Sequence, residues 1–154
     1  MVSLLVFALA NFAAASSGAI FKPGHWYEQL QKPFWVPPNW AFPVVWSVIF
    51  LLFTVAGWMV WDAAGSNAWL AMALYGVNLV VNALWSALFF GQRRMDWALI
   101  DVGVLLVSVV SVMMAFAVHS TVAALMLTPY LAWVALAFGL NWKMIELNPD
   151  FARG

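Results

Sequence analysis

The side chains of this protein that could do chemistry carry nitrogen, oxygen or aromatic groups, because its sequence contains no cysteine. Disulfides, thiolate metal sites and thiol nucleophiles are therefore excluded together. Aromatic side chains are in excess: 11 of the 154 residues are tryptophan, and 17% of all residues are aromatic. The interfacial belts of a membrane protein explain only part of that number. The surplus of indole rings predicts an apolar chamber inside the fold.

The elements that position these rings must be embedded in lipid. Only 8% of the residues are charged, against about 25% in an ordinary soluble domain. Six cations balance six anions, which excludes a nucleic-acid-binding protein, and 66% hydrophobic residues exclude a disordered chain. We therefore expect a single all-α integral membrane domain.

Long stretches without charge mark the membrane spans, since a helix that crosses a bilayer needs about 20 apolar residues. The uncharged stretch from Val102 to Trp142 contains 41 residues, enough for two spans, and the polar trio at residues 119–121 divides it. The sequence thus predicts a bundle of five transmembrane helices with a structured loop between the first two. The predicted spans are about 3–21, 43–61, 69–90, 97–118 and 121–143, with loop 1 at 22–42 and a C-terminal tail at 144–154.

Five spans place every cation on one side of the membrane. These cations are Lys22, Lys32, Arg93, Arg94, Lys143 and Arg153. By the positive-inside bias that side is cytoplasmic, so we expect the N-terminus outside and the C-terminus in the cytoplasm. The two histidines, His25 and His119, then lie on opposite faces and cannot share a metal. No metal site and no obligately bound cofactor are predicted.

Loop 1 is unlike a linker, because it is rich in proline and aromatic residues. Prolines fix φ and remove hydrogen-bond donors, so the loop cannot be one helix, and Pro37-Pro38 favours an extended turn before the second span. One interpretation is an interfacial segment whose indoles anchor in the headgroups. The other is a lid that closes an apolar pocket at the cytoplasmic mouth of the bundle.

Strings of residues in loop 1 and in the last three spans resemble the translocator protein family, also called tryptophan-rich sensory proteins or peripheral-type benzodiazepine receptors. The matching motifs are Trp26-Tyr27, Leu30 to Trp40, Phe42-Pro43, Trp46, Asn82 to Trp85, Phe89-Phe90-Gly91, Met95 to Leu99, Pro129 to Trp133 and Leu140-Asn141. The resemblance implies a five-helix bundle, commonly dimeric, that binds porphyrins, isoquinoline and benzodiazepine ligands and, in animal members, cholesterol.

The function that this resemblance implies is a tetrapyrrole-binding translocator or sensory protein, with the bacterial cell membrane as the preferred location. Porphyrin is expected as a ligand or a substrate rather than as a resident cofactor. Light-dependent degradation of protoporphyrin and transport of porphyrin or sterol-like lipids are the alternatives. The C-terminal sterol motif is not matched, because Trp142 replaces its tyrosine and Lys143 follows directly.

The resemblance also implies a set of ligand-contacting residues. They are Trp35, Phe42, Trp46, Asn82, Trp97, Ala98, Trp133, Ala137, Leu140 and Asn141. In members that break down porphyrin in light, the positions of Trp46 and Trp133 are the catalytic ones. From the residues alone, a buried indole is by default packing, and the two asparagines fit either a bond between helices or a ligand's polar rim.

Two further expectations concern residues outside that set. Asp101 lies about one turn inside the fourth span, at the depth of Arg93, Arg94 and Lys143, so we expect an ion pair or a helix-terminus interaction. Ala83 and Ala87 are four residues apart on the third span, a small-residue pair that permits a homodimer.

Overall fold

The chain folds into helices joined by short turns. The structure, a computed structural model, describes residues 2–153 and contains no strand in that range. The α-helices are α1 (Val2–Ile20), α2 (His25–Gln29), α3 (Ala41–Ala64), α4 (Trp69–Ser86), α5 (Met95–Ala117), α6 (Thr121–Leu125) and α7 (Thr128–Leu147). A 3-10 turn, Gly65–Ala68, joins α3 to α4, a π-turn, Ala87–Gly91, extends α4, and a 3-10 turn, Pro149–Phe151, follows α7.

Four helical runs in residues 2–153 are long and apolar enough to cross a membrane. They are Val2–Ile20, Ala41–Gly91, Met95–Ala117 and Thr121–Leu147. The prediction of an all-α fold with apolar helices long enough to span a membrane is thereby confirmed for residues 2–153. The second run has 51 residues, which at about 1.5 Å per residue would extend more than twice the thickness of the hydrocarbon core if it were straight.

This second run is folded back on itself at Gly65. The backbone of Gly65 has a φ of +53°, in the left-handed region that a glycine enters without the penalty of a Cβ atom. On either side of it, Phe53 of α3 and Tyr75 of α4 stack with their ring centroids 4.1 Å apart. The 51-residue run is therefore an antiparallel pair of helices.

The last predicted span is interrupted near its start. Helix α6 ends at Leu125 and α7 begins at Thr128, because Pro129 has no N–H to donate to the carbonyl of Leu125. The hydroxyl of Thr128 donates to that carbonyl instead, at 2.8 Å. Helix α7 then continues to Leu147, four residues past the predicted end of the span.

A network of polar side chains holds α4, α5 and α7 together inside the bundle. The amide of Asn78 donates to Ser108 Oγ at 2.8 Å and accepts from the Tyr130 hydroxyl at 3.0 Å. Asn82 donates to the same tyrosine oxygen at 2.9 Å. Since a polar group in lipid must find a partner within the protein, these bonds fix which helix faces meet.

A second network ties α1 to α4. Asn11 is buried and donates to the hydroxyl of Tyr75, and its amide nitrogen also contacts the carbonyl of Phe7 one turn earlier. The Phe7 ring packs edge-on against Tyr75, with centroids 5.3 Å apart. One face of an otherwise exposed apolar helix is thus anchored to the bundle.

The C-terminal tail fastens loop 1 to the bundle. The side chain of Asn148, only 5% exposed, accepts from the N–H of Gln31 at 2.8 Å and donates to its carbonyl at 2.9 Å. The same amide nitrogen lies 2.8 Å from the carbonyl of Met144, which fixes the side chain on the end of α7. The carbonyl of Ala152 accepts from the N–H of Asp96 at 3.1 Å, so the tail also covers the start of α5.

Candidate functional site

A cavity lies at the end of the bundle where loop 1, the end of α4 and the second half of α7 meet. Its lining comprises Tyr27, Pro37, Phe42, Trp85, Phe89, Phe90, Trp133, Leu136, Ala137, Leu140, Asn141 and Met144. Nine of these twelve side chains are hydrocarbon, indole or thioether groups on helices, so the cavity is suited to an apolar, aromatic ligand.

The cavity is nearly closed in this conformation. The space between the lining atoms measures about 450 Å³, part of which is open to the outside. Only about 30 Å³ of this space is wide enough to hold water. That is room for about two or three water molecules. Tyr27 and Pro37 of loop 1 form one side of this closed cavity.

Aromatic contacts shape the walls. The Trp133 ring meets Phe42 edge-on, with centroids 5.6 Å apart, and joins α7 to the start of α3. On the opposite wall, Trp85 and Phe89 stack at 5.2 Å with 25° between their planes. Phe90 completes this wall, 5.7 Å from Trp85 and edge-on to it.

Tyr27 of α2 connects loop 1 to these walls. Its ring packs edge-on against Phe90 at 5.5 Å, and the ammonium group of Lys32 lies 4.5 Å from its centroid. Burial raises the pKa of the Tyr27 hydroxyl above its ordinary value, so this group stays neutral near pH 7. The lining therefore presents no charge to a ligand, while the ammonium of Lys32 lies behind it.

Two polar atoms in the lining have no hydrogen-bond partner among residues 2–153: Oδ1 of Asn141 and the indole nitrogen of Trp85. The Asn141 amide nitrogen donates to the carbonyl of Met95 at 2.9 Å. Asn141 is only 2% exposed. These two atoms are the polar features of an otherwise apolar wall.

Of the ten residues expected to contact a ligand, the structure brings five together in the cavity lining. These are Phe42, Trp133, Ala137, Leu140 and Asn141. Four of them follow one another along α7 with helical spacing, which places them on one face. Ala137 has the smallest side chain of the five, and a larger group there would fill the cavity.

Trp46 and Asn82 lie deeper than the cavity. The Trp46 ring packs against Phe50 and Tyr130, with centroids 5.5 and 6.0 Å away, and is not part of the lining. Asn82 is buried, and its amide donates to the Tyr130 hydroxyl. Of the two interpretations of Asn82, the structure shows the bond between helices.

The remaining three residues, Trp35, Trp97 and Ala98, are not part of the cavity lining. Trp35 crosses the outside of α7, where a Cβ on Gly139 would lie 3.9 Å from its ring. Trp97 is 52% exposed with the Arg94 guanidinium 5.8 Å from its ring, and Ala98 is fully buried. The end of α4, rather than α5, thus supplies the wall opposite α7.

Seven lining residues were not in the expected set: Tyr27, Pro37, Trp85, Phe89, Phe90, Leu136 and Met144. A signal for two of them exists in the sequence, since Trp85 and Phe89 are four residues apart and so share a helical face, whereas Phe90, five residues from Trp85, joins them only through the π-turn. Choosing that wall required knowing that the π-turn Ala87–Gly91 directs them toward α7. This is a tertiary feature that spacing does not show.

The predicted ion pair of Asp101 is wrong. Arg94 instead pairs with Asp96, at 2.8 and 2.7 Å, and Lys143 pairs with Glu146 at 2.7 Å. These partners are two and three residues away along the chain, so both cations are paired locally and neither pairs with Asp101. One carboxylate oxygen of Asp101 is buried without a hydrogen-bond partner within residues 2–153.

Comparisons of the sequence with known proteins show the family of this chain. The sequence model of the TspO/MBR family matches residues 2–147. The chain is 39% identical to Protein CrtK of Rhodobacter capsulatus over 153 residues, with 96% of each chain covered. It is 40% identical to a tryptophan-rich sensory protein of Cereibacter sphaeroides, covering 94% of this chain and 90% of the relative. With the human translocator protein the identity is 34%, over 99% of this chain and 94% of the relative.

Proposed function

Because the chain belongs to the TspO/MBR family, we propose that it is a tetrapyrrole-binding sensory or translocator protein whose ligand occupies the cavity under loop 1. The observation that carries the proposal is the lining, in which two indoles and three phenylalanines surround a slot. A flat macrocycle stacks on such rings. Loop 1 must lift to admit it, since the closed cavity holds only a few waters.

Charge at the mouth supports a ligand with acidic groups. Lys22 and Arg93 are exposed, and Lys32 and Arg94 are half-buried, at the same end of the molecule as the cavity. The lining itself has no cation. A protoporphyrin would therefore insert its apolar edge between the rings and leave its two propionates at the mouth, where the cations lie.

We propose five membrane crossings, with α3 and α4 crossing separately. The stack of Phe53 on Tyr75 and the left-handed backbone of Gly65 support this count. Loop 1, the start of α5 and the tail are joined by hydrogen bonds, so their cations lie at one end. The positive-inside bias then makes that end cytoplasmic and puts the N-terminus outside.

We also propose that the cavity binds isoquinoline or benzodiazepine ligands. A second proposal is a homodimer formed through Ala83 and Ala87. The two alanines are half-buried, so side-chain contacts within one chain leave part of each available to a second copy. Crosslinking in detergent, compared with an Ala83→Leu variant, tests the dimer.

The proposed binding is tested by tryptophan-fluorescence quenching with protoporphyrin in detergent. Wild type should show saturable quenching. Trp133→Ala removes one ring from the cavity wall, so the affinity for protoporphyrin should fall by about tenfold or more. A loss of this size is what removing one stacked aromatic contact is expected to cause. Trp69→Ala is the matched control, because Trp69 is 69% exposed and lies outside the lining. Identical curves for all three proteins would indicate nonspecific partitioning.

Light-dependent porphyrin breakdown is a second candidate, favoured by the Trp133 indole in the cavity wall. Illumination with excess protoporphyrin should consume more than one porphyrin per protein if the activity is catalytic. The rate should fall in Trp133→Phe and change less in Trp46→Phe, because Trp46 lies behind the cavity. Equal decay in both variants and wild type would remove the catalytic role.

A further inference from the structure

The end of α1 packs against the π-turn that extends α4. A Cβ on Gly91 would lie 2.8 Å from the Phe21 ring, closer than packed atoms approach, so this ring rests directly on the backbone of the glycine. Lys22 follows the ring along the chain, and Arg93 lies two residues past the glycine. The contact therefore brings two cations to one place on the surface, the basic corner formed by Lys22 and Arg93.

The basic corner has no counter-ion within the protein. Both side chains are exposed, and neither forms an ion pair in the part of the chain that the structure describes. The acid nearest to Arg93 along the chain is Asp96, which already accepts two hydrogen bonds from the guanidinium two residues before it. The acid nearest to Lys22 is Glu28, which lies 3.8 Å from a histidine ring. An anion from outside the protein can therefore neutralise the corner.

The backbone of Arg93 is strained. Its φ is +58°, in the left-handed region that residues with a Cβ rarely enter. A glycine would adopt this conformation without strain, so the turn itself does not call for an arginine. Strained residues cluster at functional sites, and the group that this strain retains is an exposed cation.

An apolar strip on α1 leads from the basic corner into the membrane. Leu9, Phe12 and Ile20 are all strongly exposed. The second and third of these residues follow the first by three and eleven positions, which places them on one face of the helix. A soluble anion has no use for such a strip, whereas a phospholipid offers a phosphate to the cations and an acyl chain to the strip.

We propose that Lys22 and Arg93 bind the headgroup phosphate of an anionic phospholipid, whose acyl chain lies along the exposed face of α1. Anionic lipids are found in the cytoplasmic leaflet, where the positive-inside bias places both cations. Neither residue lines the cavity, so this site goes beyond the proposed function. Lys32, whose ammonium lies 4.5 Å from the ring centroid of Tyr27 in the cavity lining, remains at the mouth for an acidic ligand.

Native mass spectrometry of the full chain in detergent tests the site, with phosphatidylglycerol and phosphatidylcholine of the same acyl chains offered in equal amounts. Wild type should prefer phosphatidylglycerol by about tenfold or more, because each cation near an anionic headgroup contributes about fivefold. Lys22→Gln and Arg93→Gly should each lower this preference by about fivefold. The glycine variant relieves the strained backbone, so it should fold at least as well as wild type.

Two further variants separate the site from a general effect of charge. Arg93→Lys keeps the cation and should retain the preference within about twofold. Lys143→Gln is the matched control, because it removes one cation from the same end of the protein but on α7, where Glu146 pairs with it at 2.7 Å. An equal loss in Lys143→Gln and in the two corner variants would overturn the site, and so would an unchanged preference in both corner variants.

Soluble phosphate tests the assignment to a lipid. Glycerol phosphate, which has the same charged group without acyl chains, should leave phosphatidylglycerol bound even in large molar excess. Its displacement of the lipid would assign the basic corner to a soluble anion and overturn the proposal. The outcome is separable from that of the porphyrin titration, because Trp133→Ala should weaken porphyrin binding and leave the lipid preference unchanged.

Discussion

Replacing Asn148 by alanine should release loop 1 from the bundle. The Asn148 side chain makes two hydrogen bonds to the backbone of Gln31, at 2.8 and 2.9 Å, and is almost fully buried. A hydrogen bond of this kind contributes about 0.5–1.5 kcal/mol net, so the pair contributes about 1–3 kcal/mol to the closed state. At about 1.4 kcal/mol for each factor of ten, the open population should rise about 5- to 150-fold.

Hydrogen exchange of the Gln31 amide, followed by mass spectrometry in detergent, measures this change directly. The exchange rate should increase by the same factor in Asn148→Ala. Asn148→Asp retains the acceptor for the Gln31 N–H but places a carboxylate oxygen against the carbonyls of Gln31 and Met144, so its effect should be at least as large as that of Asn148→Ala. Asn39→Ala is the control, because Asn39 is an exposed residue of the same loop. An exchange rate within twofold of wild type in Asn148→Ala would refute the tail's role in holding the lid.

Three further substitutions test the packing. Gly57→Ala would bring a Cβ to 2.8 Å from the Tyr75 ring, so a thermal melt in detergent should show a loss of stability of about 1–3 kcal/mol. Gly76→Ala is its control and should be neutral or stabilising, because a Cβ there would have no atom within 4 Å. Tyr130→Phe should lower the free energy of unfolding by about 1–3 kcal/mol, because the buried amides of Asn78 and Asn82 lose the hydroxyl that they share. Ser111→Ala is its control, because it removes an exposed hydroxyl. Arg94→Ala should leave the thermal melt close to that of wild type, since its ion pair with Asp96 is one-third exposed and screened by solvent. A clear loss of thermal stability would show that the Arg94 cation stabilises more than this one ion pair.

The helices could be predicted from the sequence because lipid enforces a simple rule: charges are excluded for about 20 residues at a time. Two breaks in the helices follow from local chemistry. The chain turns at Gly65 because a glycine can adopt the left-handed backbone conformation, and α6 ends early because Pro129 has no N–H to donate. The ends of the helices were less predictable, since α7 continues to Leu147 beyond the charged residue Lys143.

The candidate site was predictable in part for a different reason. The face of α7 that carries Trp133, Ala137 and Leu140 follows from helical spacing and lines the cavity. The opposite wall depends on which helix α7 meets, and that choice is made by contacts distant in sequence. Trp85 and Trp97 are equivalent as residue types, yet only Trp85 lines the cavity, while Trp97 is half exposed.

These contacts predict a role for the tail in ligand access. Loop 1 is held over the cavity at three points: the clasp on Gln31, the Trp35 ring against Gly139, and Phe42 against Trp133. The last two involve apolar rings that a ligand or lipid can replace at little cost, because a lipid chain is as apolar as the side chain it displaces. The clasp consists of directed hydrogen bonds, which an apolar ligand or a lipid chain cannot replace.

Removing residues 148–154 should therefore speed protoporphyrin association more than it changes the final affinity, since the truncation deletes the clasp and leaves the cavity lining intact. Stopped-flow quenching measures both rates. The deletion also removes the Ala152 carbonyl from the N–H of Asp96, so Asn148→Ala, which leaves that bond in place, is the matched comparison. An association rate equal to wild type in both variants would mean that the lid opens by breaking the ring contacts first, and that the tail does not limit entry.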